Sequence, residues 1–266
     1  MTIDFNKFSS VTDASSSLSA DTRYFAGGTL LMRVINYGEQ DFSSLVSSDD
    51  PSLKSVSVEG ENVRIGAGVT MREIMGNSSL EFLAEVARSV GGPAIRNMAT
   101  IGGNLFAPRP YGDMTTALLA LGASLRWSSG LVQTIDDFLA QTPKATNDIV
   151  MEVIVPRPAA GSFRYMKASR VKPKGVALMS IAVLLKREAG RLGQCRVSFG
   201  GMGPVARRAT AAENALTGSS LDEHTINKVI SCCTEDLNPE DDSLSSAWYR
   251  NEVAPVYLRR LLEQRG

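Results

Sequence analysis

The sequence predicts an α+β fold laid out in two successive parts. Three observations lead to it. Short strand-like runs alternate with helical spacings up to about residue 156. The stretch Arg157-Pro158-Ala159-Ala160-Gly161 then breaks the pattern. Beyond it come three strand-like runs, followed only by helical ones. Strands first and helices afterwards segregate into an α+β arrangement.

Phe5 and Phe8 open the chain, and a polar Ser/Thr/Asp stretch follows to about Thr22. Tyr24-Phe25-Ala26 stops at Gly27-Gly28, which predicts a buried strand entering a tight turn. Val56 and Val58 alternate with polar residues, Glu59-Gly60-Glu61-Asn62 turns the chain, and Val63 and Ile65 alternate again. That pattern is a β-hairpin ending at Gly66-Ala67-Gly68. Leu80, Leu83, Ala84 and Ala87 share one face of a helix. Gly91-Gly92-Pro93 breaks it, and Met114, Ala117, Leu118 and Leu121 repeat the helical spacing. Leu125 and Trp127 predict a strand, Ile135–Ala140 a short helix, and Ile149–Val155 a strand halted by Pro156. In the second part the strands are Phe163–Ala168, Val176–Leu185 and Cys195–Phe199. Ile226, Val229, Ile230 and Cys233 mark a helix face, and Trp248–Leu262 a terminal helix with Pro255 inside it.

Composition excludes several functions. The chain has 266 residues, 43% of them hydrophobic and 21% charged, which supports a real core and argues against disorder. Lys+Arg and Asp+Glu are both 28, so the basic surplus usual for a nucleic-acid binder is missing. Cys195, Cys232 and Cys233 suggest no disulfide framework, in keeping with a reducing cytoplasm. Together with the single His224 they give no recognisable zinc or iron–sulfur ligand set. One imidazole also argues against a Ser–His triad. The N-terminal residues MTIDFNKFSS hold no apolar signal core, and the longest apolar stretch, Val176–Leu185, is too short to span a bilayer. A cytoplasmic protein is expected.

The most informative features are three glycine turns: Ala26-Gly27-Gly28-Thr29, Gly66-Ala67-Gly68-Val69-Thr70, and Thr100-Ile101-Gly102-Gly103-Asn104. Glycine pairs bring backbone N–H groups close to a ligand, and successive amides form a nest suited to phosphate. A following Thr or Asn adds a side-chain donor. Two such loops could hold a diphosphate. The commoner reading of each glycine pair is a plain turn. None is a standard dinucleotide loop, because Met71 stands where G-x-G-x-x-G needs its third glycine. No Gly-Lys-Ser/Thr occurs, so a Walker A loop is absent.

The wording of these segments goes further. Phe25-Ala26-Gly27-Gly28-Thr29, Ile65-Gly66-Ala67-Gly68-Val69-Thr70, and Ile95-Arg96-Asn97-Met98-Ala99-Thr100-Ile101-Gly102-Gly103-Asn104-Leu105, with Asp113 beyond, closely resemble the FAD-binding (medium) subunit of molybdenum hydroxylases. That family includes the carbon monoxide dehydrogenase flavoprotein subunit and the xanthine dehydrogenase FAD domain. Tyr165-Met166-Lys167 with Arg170 is similar to the Y-x-K-x-x-R strand opening the family's C-terminal domain. Phe199-Gly200-Gly201-Met202-Gly203-Pro204 resembles its glycine turn.

The resemblance implies a two-subdomain FAD-binding domain of the PCMH/vanillyl-alcohol-oxidase type at 1–158, divided at about 1–55 and 56–158. It implies a smaller α+β domain at 162–266, with a three-stranded antiparallel sheet and helices. Carried over by position, Ala26, Gly27, Gly28 and Thr29 form one diphosphate loop, and Thr100, Gly102, Gly103 and Asn104 the other. Asp113 holds the loop or the ribose/adenine side; it equally suits the N-cap of the following helix, and the two roles are compatible. Val150 stands where a backbone contact to the cofactor is expected. Lys167 matches a lysine near the flavin ring, and its other reading is a solvated strand lysine. Arg96 and Asn97 are read as loop braces, and His224, Cys232 and Cys233 as structural.

The family's division of chemistry implies FAD here, two [2Fe–2S] clusters on a small subunit, and a molybdenum-pterin cofactor on a large one, assembled as a dimer of heterotrimers. Electrons then pass from the clusters through FAD to an external acceptor, and this chain needs no catalytic acid, base or metal. Two rival readings are a stand-alone flavin oxidoreductase and a flavin-free assembly subunit of the same fold. The sequence departs from the family pattern at Leu30, where Asp is frequent, and in the bulky segment Phe106–Gly112. The stretch between Phe8 and Tyr24 looks shortened, as if an early helix were trimmed.

Overall fold

A computed structural model describes residues 3–141, 147–171 and 175–264. The chain begins with a small parallel sheet in which β1 (Asp4–Phe8) and β2 (Thr22–Tyr24) flank β3 (Ser44–Ser48). Helices α1 (Val11–Ser16) and α2 (Leu31–Asn36) occupy its connections, as parallel strands require crossovers. α1 falls in the stretch that reads as merely polar. Ser10 caps it through the Asp13 amide, and Val11 and Ala14 are its buried residues. Two apolar residues in six give no legible periodicity, so the sequence predicts neither this helix nor β3.

A second sheet is antiparallel throughout. β4 (Val56–Glu59) and β5 (Asn62–Gly66) form the expected hairpin, and β6 (Ser124–Trp127), β7 (Val132–Thr134) and β8 (Val150–Pro156) complete the order β4-β5-β8-β6-β7. Between β5 and β6 run α3 (Met71–Gly76), α4 (Glu81–Ser89), α5 (Pro93–Met98), α6 (Ile101–Leu105) and α7 (Asp113–Leu121), while α8 (Ile135–Ala140) follows β7. A Thr70/Glu73 capping box starts α3. The third glycine turn, expected as a loop, is instead the helix α6, with Thr100 at its N-cap.

The third sheet has the order β14-β13-β10-β9, again antiparallel. Its body is the three predicted strands, β9 (Phe163–Ser169), β10 (Ala177–Leu184) and β13 (Arg196–Gly200). The short hairpin β11 (Arg187–Glu188) and β12 (Arg191–Leu192) intervenes, and the two-residue β14 (Arg207–Arg208) adds an edge. α9 (Thr210–Leu216), α10 (Glu223–Cys232) and α11 (Ala247–Glu263) follow, α11 running through Pro255.

Strand β10 shows how the pieces stack. All of its residues are buried, because successive side chains point to opposite faces and both faces are covered. Met179, Ile181 and Val183 join the core shared with α9, α10 and α11. Ala182 and Leu184 join the other core, with α7 and the second sheet. Ser180 lies on this face too, and its hydroxyl meets that of Thr116 on α7 at 3.0 Å. Helix α7 is likewise buried at every residue. A helix apolar all round belongs inside the molecule.

Among the largest fully buried side chains is Arg250 of α11. It donates to the carbonyls of Leu178, Glu240 and Ser245 at 3.0, 2.7 and 3.0 Å, and forks onto both Asp242 oxygens at 2.9 and 2.8 Å. Its removal strands several acceptors and a carboxylate at once. Arg250→Ala is expected to lower stability by about 3 kcal/mol, read from the midpoint of urea unfolding.

Candidate cofactor site

The two glycine loops that flank the expected ligand lie against each other. A Cβ on Gly27 would sit 1.8 Å from the Met98 carbonyl oxygen, so only glycine lets the first loop close onto the segment preceding α6. Gly28 takes φ +65° beneath the Phe25 ring, a left-handed conformation that also favours glycine. From the other side, a Cβ on Gly103 would lie 4.0 Å from the Ala26 Cβ, with only the Thr100 hydroxyl nearer.

The loops differ in what they can offer a ligand. Among the described residues, the amides of Ala26, Gly27, Gly28, Thr29 and Leu30 donate to no protein acceptor; the next helical bond is Met32 N–H to Gly28 O at 2.9 Å. These residues are only half-buried. A run of free amides in a partly enclosed loop is an anion nest.

The second loop has no free amide between residues 101 and 104. Ile101 donates to Val69 O and Gly102 to Ala67 O, both at 2.9 Å. Gly103 donates to Thr100 Oγ1 and Asn104 to Thr100 O, both at 3.0 Å. Its role is shape. Gly102 clears the Ala67 Cβ, which an added Cβ would approach to 2.7 Å, and Gly103 leaves an open face toward Ala26. The Gly66–Thr70 turn forms the shelf beneath. The Ala67 amide donates to Met151 O at 2.9 Å, and Gly66 and Gly68 pack against the Leu53 carbonyl. Val150 is buried in the core at the start of β8, beside Met151.

Asn104 ties the second loop to α7. Its Oδ1 accepts the Met114 amide at 3.0 Å, and its carbonyl accepts the Thr115 hydroxyl at 3.2 Å. The residue at the N-cap of α7 is Gly112 at φ +98°, so Asp113 is the first helical residue and Asn104 does the side-chain capping. Asp113 is free for another partner. Its Oδ2 accepts from Lys167 Nζ at 2.6 Å, both groups nearly out of solvent, and Tyr165 also hydrogen-bonds the carboxyl. Lys167 donates in addition to Ser89 O at 3.0 Å, and the Tyr165 hydroxyl meets Ser89 Oγ at 3.2 Å.

The ammonium thus sits between the C-terminal carbonyl of α4 and a carboxylate in the first turn of α7. Both placements follow the helix dipoles. Burial pushes the Asp113 carboxyl above its ordinary value, with Lys167 pulling it back. Burial, with Asp113 adding to it, holds the Tyr165 phenol well above its ordinary range. Sequence reasoning does not single out Tyr165 or Ser89 as site residues. Tyr165 lies two residues before Lys167, on the same strand face, and that period-2 spacing is a usable signal. Ser89 carries no signal in the sequence. Arg96 braces the approach to α6 by donating to the carbonyls of Gly91 and Arg88 at 2.5 and 3.2 Å.

The expected residues therefore form one connected series. Ala26 and Gly27 abut the segment Met98–Gly103, Asn104 caps α7, and Asp113 on α7 holds Lys167 on β9. Val150 stands apart from these contacts, under the second loop through its neighbour.

A family model described as the FAD binding domain in molybdopterin dehydrogenase matches residues 3–158, and a second, the CO dehydrogenase flavoprotein C-terminal domain, matches residues 164–265. The chain belongs to this family of FAD-binding medium subunits of molybdenum hydroxylases. It is similar to the carbon monoxide dehydrogenase medium chain of Afipia carboxidovorans, 28% identical over 98% of this chain and 96% of that one. The glyceraldehyde dehydrogenase medium chain of Sulfolobus acidocaldarius is 28% identical over 80% and 79% of the two chains. Among solved structures, reconstituted CO dehydrogenase from Oligotropha carboxidovorans superposes with a TM-score of 0.91 at 26% identity, covering 99% of this chain and 97% of that one. The free amides of Ala26–Leu30 and the side-chain-free face of Gly103 suit the diphosphate of FAD.

Removing the ammonium leaves Asp113 buried without its counterion and raises its carboxyl further. A folded-state value above the unfolded one carries no penalty below the ordinary carboxylate range and a growing one as pH rises. Lys167→Met is expected to destabilise by about 3 kcal/mol near neutral pH and to recover part of that toward pH ~5, in denaturant titrations at both pH values. Adding Asp113→Asn should abolish the pH-dependent part.

Proposed function

We propose that this chain is the electron-transferring FAD subunit of a multi-subunit molybdenum hydroxylase. It receives electrons from two [2Fe–2S] clusters on a small subunit and delivers them to an external acceptor. A large molybdenum-pterin subunit oxidises the substrate. The observation that carries the reading is the run of free amides at Ala26–Leu30 facing the bare backbone of Gly103. Bound there, FAD supplies the redox chemistry that joins the clusters to the acceptor.

In this reading Ala26, Gly27, Gly28 and Thr29 hold the diphosphate. Thr100, Gly102 and Asn104 fix the opposing wall, and Gly103 leaves it open. Val150 sits under that wall. Lys167 comes to the cofactor as half of an ion pair with Asp113, so it acts as an oriented donor more than as a bare charge. The division at 158/162, with subdomains at about 1–55 and 56–158, belongs to the same reading. The named relatives, a carbon monoxide dehydrogenase medium chain and a glyceraldehyde dehydrogenase medium chain among them, support assembly into a larger complex.

The test is the visible spectrum of the natively isolated protein, with its subunits counted on a denaturing gel. An oxidised-flavin spectrum overlaid by iron–sulfur absorbance, with two further bands, is expected. Flavin without partners would point to a stand-alone flavoprotein. A colourless protein that takes up no added FAD would sink the proposal. Gly27→Ala should cut FAD content at least about tenfold, because the new methyl drives the loop off Met98.

A further inference from the structure

Each glycine loop continues into a segment that leaves the site, and these two segments touch. The first loop runs directly into α2, a helix with no buried residue. The second runs through α6 into the bulky stretch Phe106–Gly112. Arg33 of α2 donates through Nη1 to the Tyr111 hydroxyl at 2.7 Å. Among the described residues this is the only side-chain hydrogen bond that α2 makes to another part of the chain.

The two ends of this bond are held differently. Tyr111 is anchored, since its amide donates to Pro108 O at 2.8 Å and the neighbouring Arg109 reaches Glu240 at 3.2 Å. Arg33 has no carboxylate partner among the described residues. Its guanidinium lies over the Tyr37 ring, 5.7 Å from the centroid, on its own helix turn. An element with no buried side chain opens at little free-energy cost. The carbonyls of Gly28 and Leu30 accept the Met32 and Val34 amides, at 2.9 and 3.2 Å, so the amide loop moves with α2.

We propose that Arg33 and Tyr111 form a clasp that holds the amide loop against the second loop and so governs retention of the bound cofactor. Both are positioning residues that act through the Ala26–Leu30 backbone. The inference rests on the reading that these loops bind FAD. The clasp locks α2 to the rigid wall, and FAD leaves when it opens.

The experiment measures FAD release from the natively purified protein after dilution, by the fluorescence of freed flavin. Wild type, Tyr111→Phe, Arg33→Ala and the double variant are compared. Each single change is expected to speed release roughly fivefold. The double should be no faster than the singles, because the two residues act through one bond. The melting temperature of the FAD-free protein should stay the same in all four. Release unchanged in Tyr111→Phe would overturn the clasp, including the case where Arg33→Ala alone speeds release, which marks a purely electrostatic role. Additive effects in the double variant, or a parallel fall in FAD-free stability, would overturn it too. A wild type that holds no FAD would fail the functional reading instead.

Discussion

Helix α7 has no face turned to solvent, and much of the site follows from that burial. A buried helix must satisfy its first amides and neutralise any charge in its first turn. Asn104 answers the first demand by accepting the Met114 amide, which fixes where α6 ends relative to α7. Lys167 answers the second by pairing with Asp113, which fixes β9 over the same helix end. The backbone of Gly200 then lies so close that a Cβ there would come within 2.3 Å of the Thr116 hydroxyl. The second loop is placed by the packing of α7, and the first loop is placed by fitting onto the second.

This chain of dependence explains why two similar glycine turns behave differently. Thr100–Asn104 is wired into the core on three sides: the shelf at Ala67 and Val69, the Thr100 cap, and the start of α7. The amides of residues 101–104 are all engaged, so its glycines serve close approach. Ala26–Leu30 lies at the margin of a small parallel sheet and runs into a helix with nothing buried, so its amides stay free. One loop supplies shape and the other supplies donors. A ligand held between them would meet a fixed wall on one side and an adaptable one on the other.

Much of this was legible in the sequence where periodicity is long or turn chemistry is strong. The hairpin at 56–66, the helix α8, and strands β9, β10 and β13 all follow from spacing. The parallel sheet at the start did not. β3 is Ser-Leu-Val-Ser-Ser, α1 has two buried residues, and neither repeats long enough to rise above a polar background. The glycine strings drew attention to both segments, one of which is helix α6, but could not show which amides were free. That depends on Ala67 and Val69, which approach only in three dimensions. Asp113 illustrates the same limit. Its position at a helix start was plain, yet capping fell to Asn104, which precedes the Met114 amide it accepts by 10 residues and meets it only in space.

The Asp113–Lys167 pair is better understood as a positioning device than as a source of stability. A buried ion pair loses in desolvation much of what it gains in attraction, and an apolar pair of similar volume would often pack as well. What the apolar pair would lack is direction. Lys167 must point at both the α4 carbonyl of Ser89 and the Asp113 carboxylate, and those two bonds fix the ammonium to one place. Tyr165 completes the arrangement from the same strand face. The register of β9 against β10 sets Lys167 opposite Ser180, whose hydroxyl meets Thr116 on α7. Two polar contacts along one helix therefore fix β9 and β10 against it. A site whose parts come from α6, α7 and β9 needs that register more than it needs the few kcal/mol an apolar contact would add.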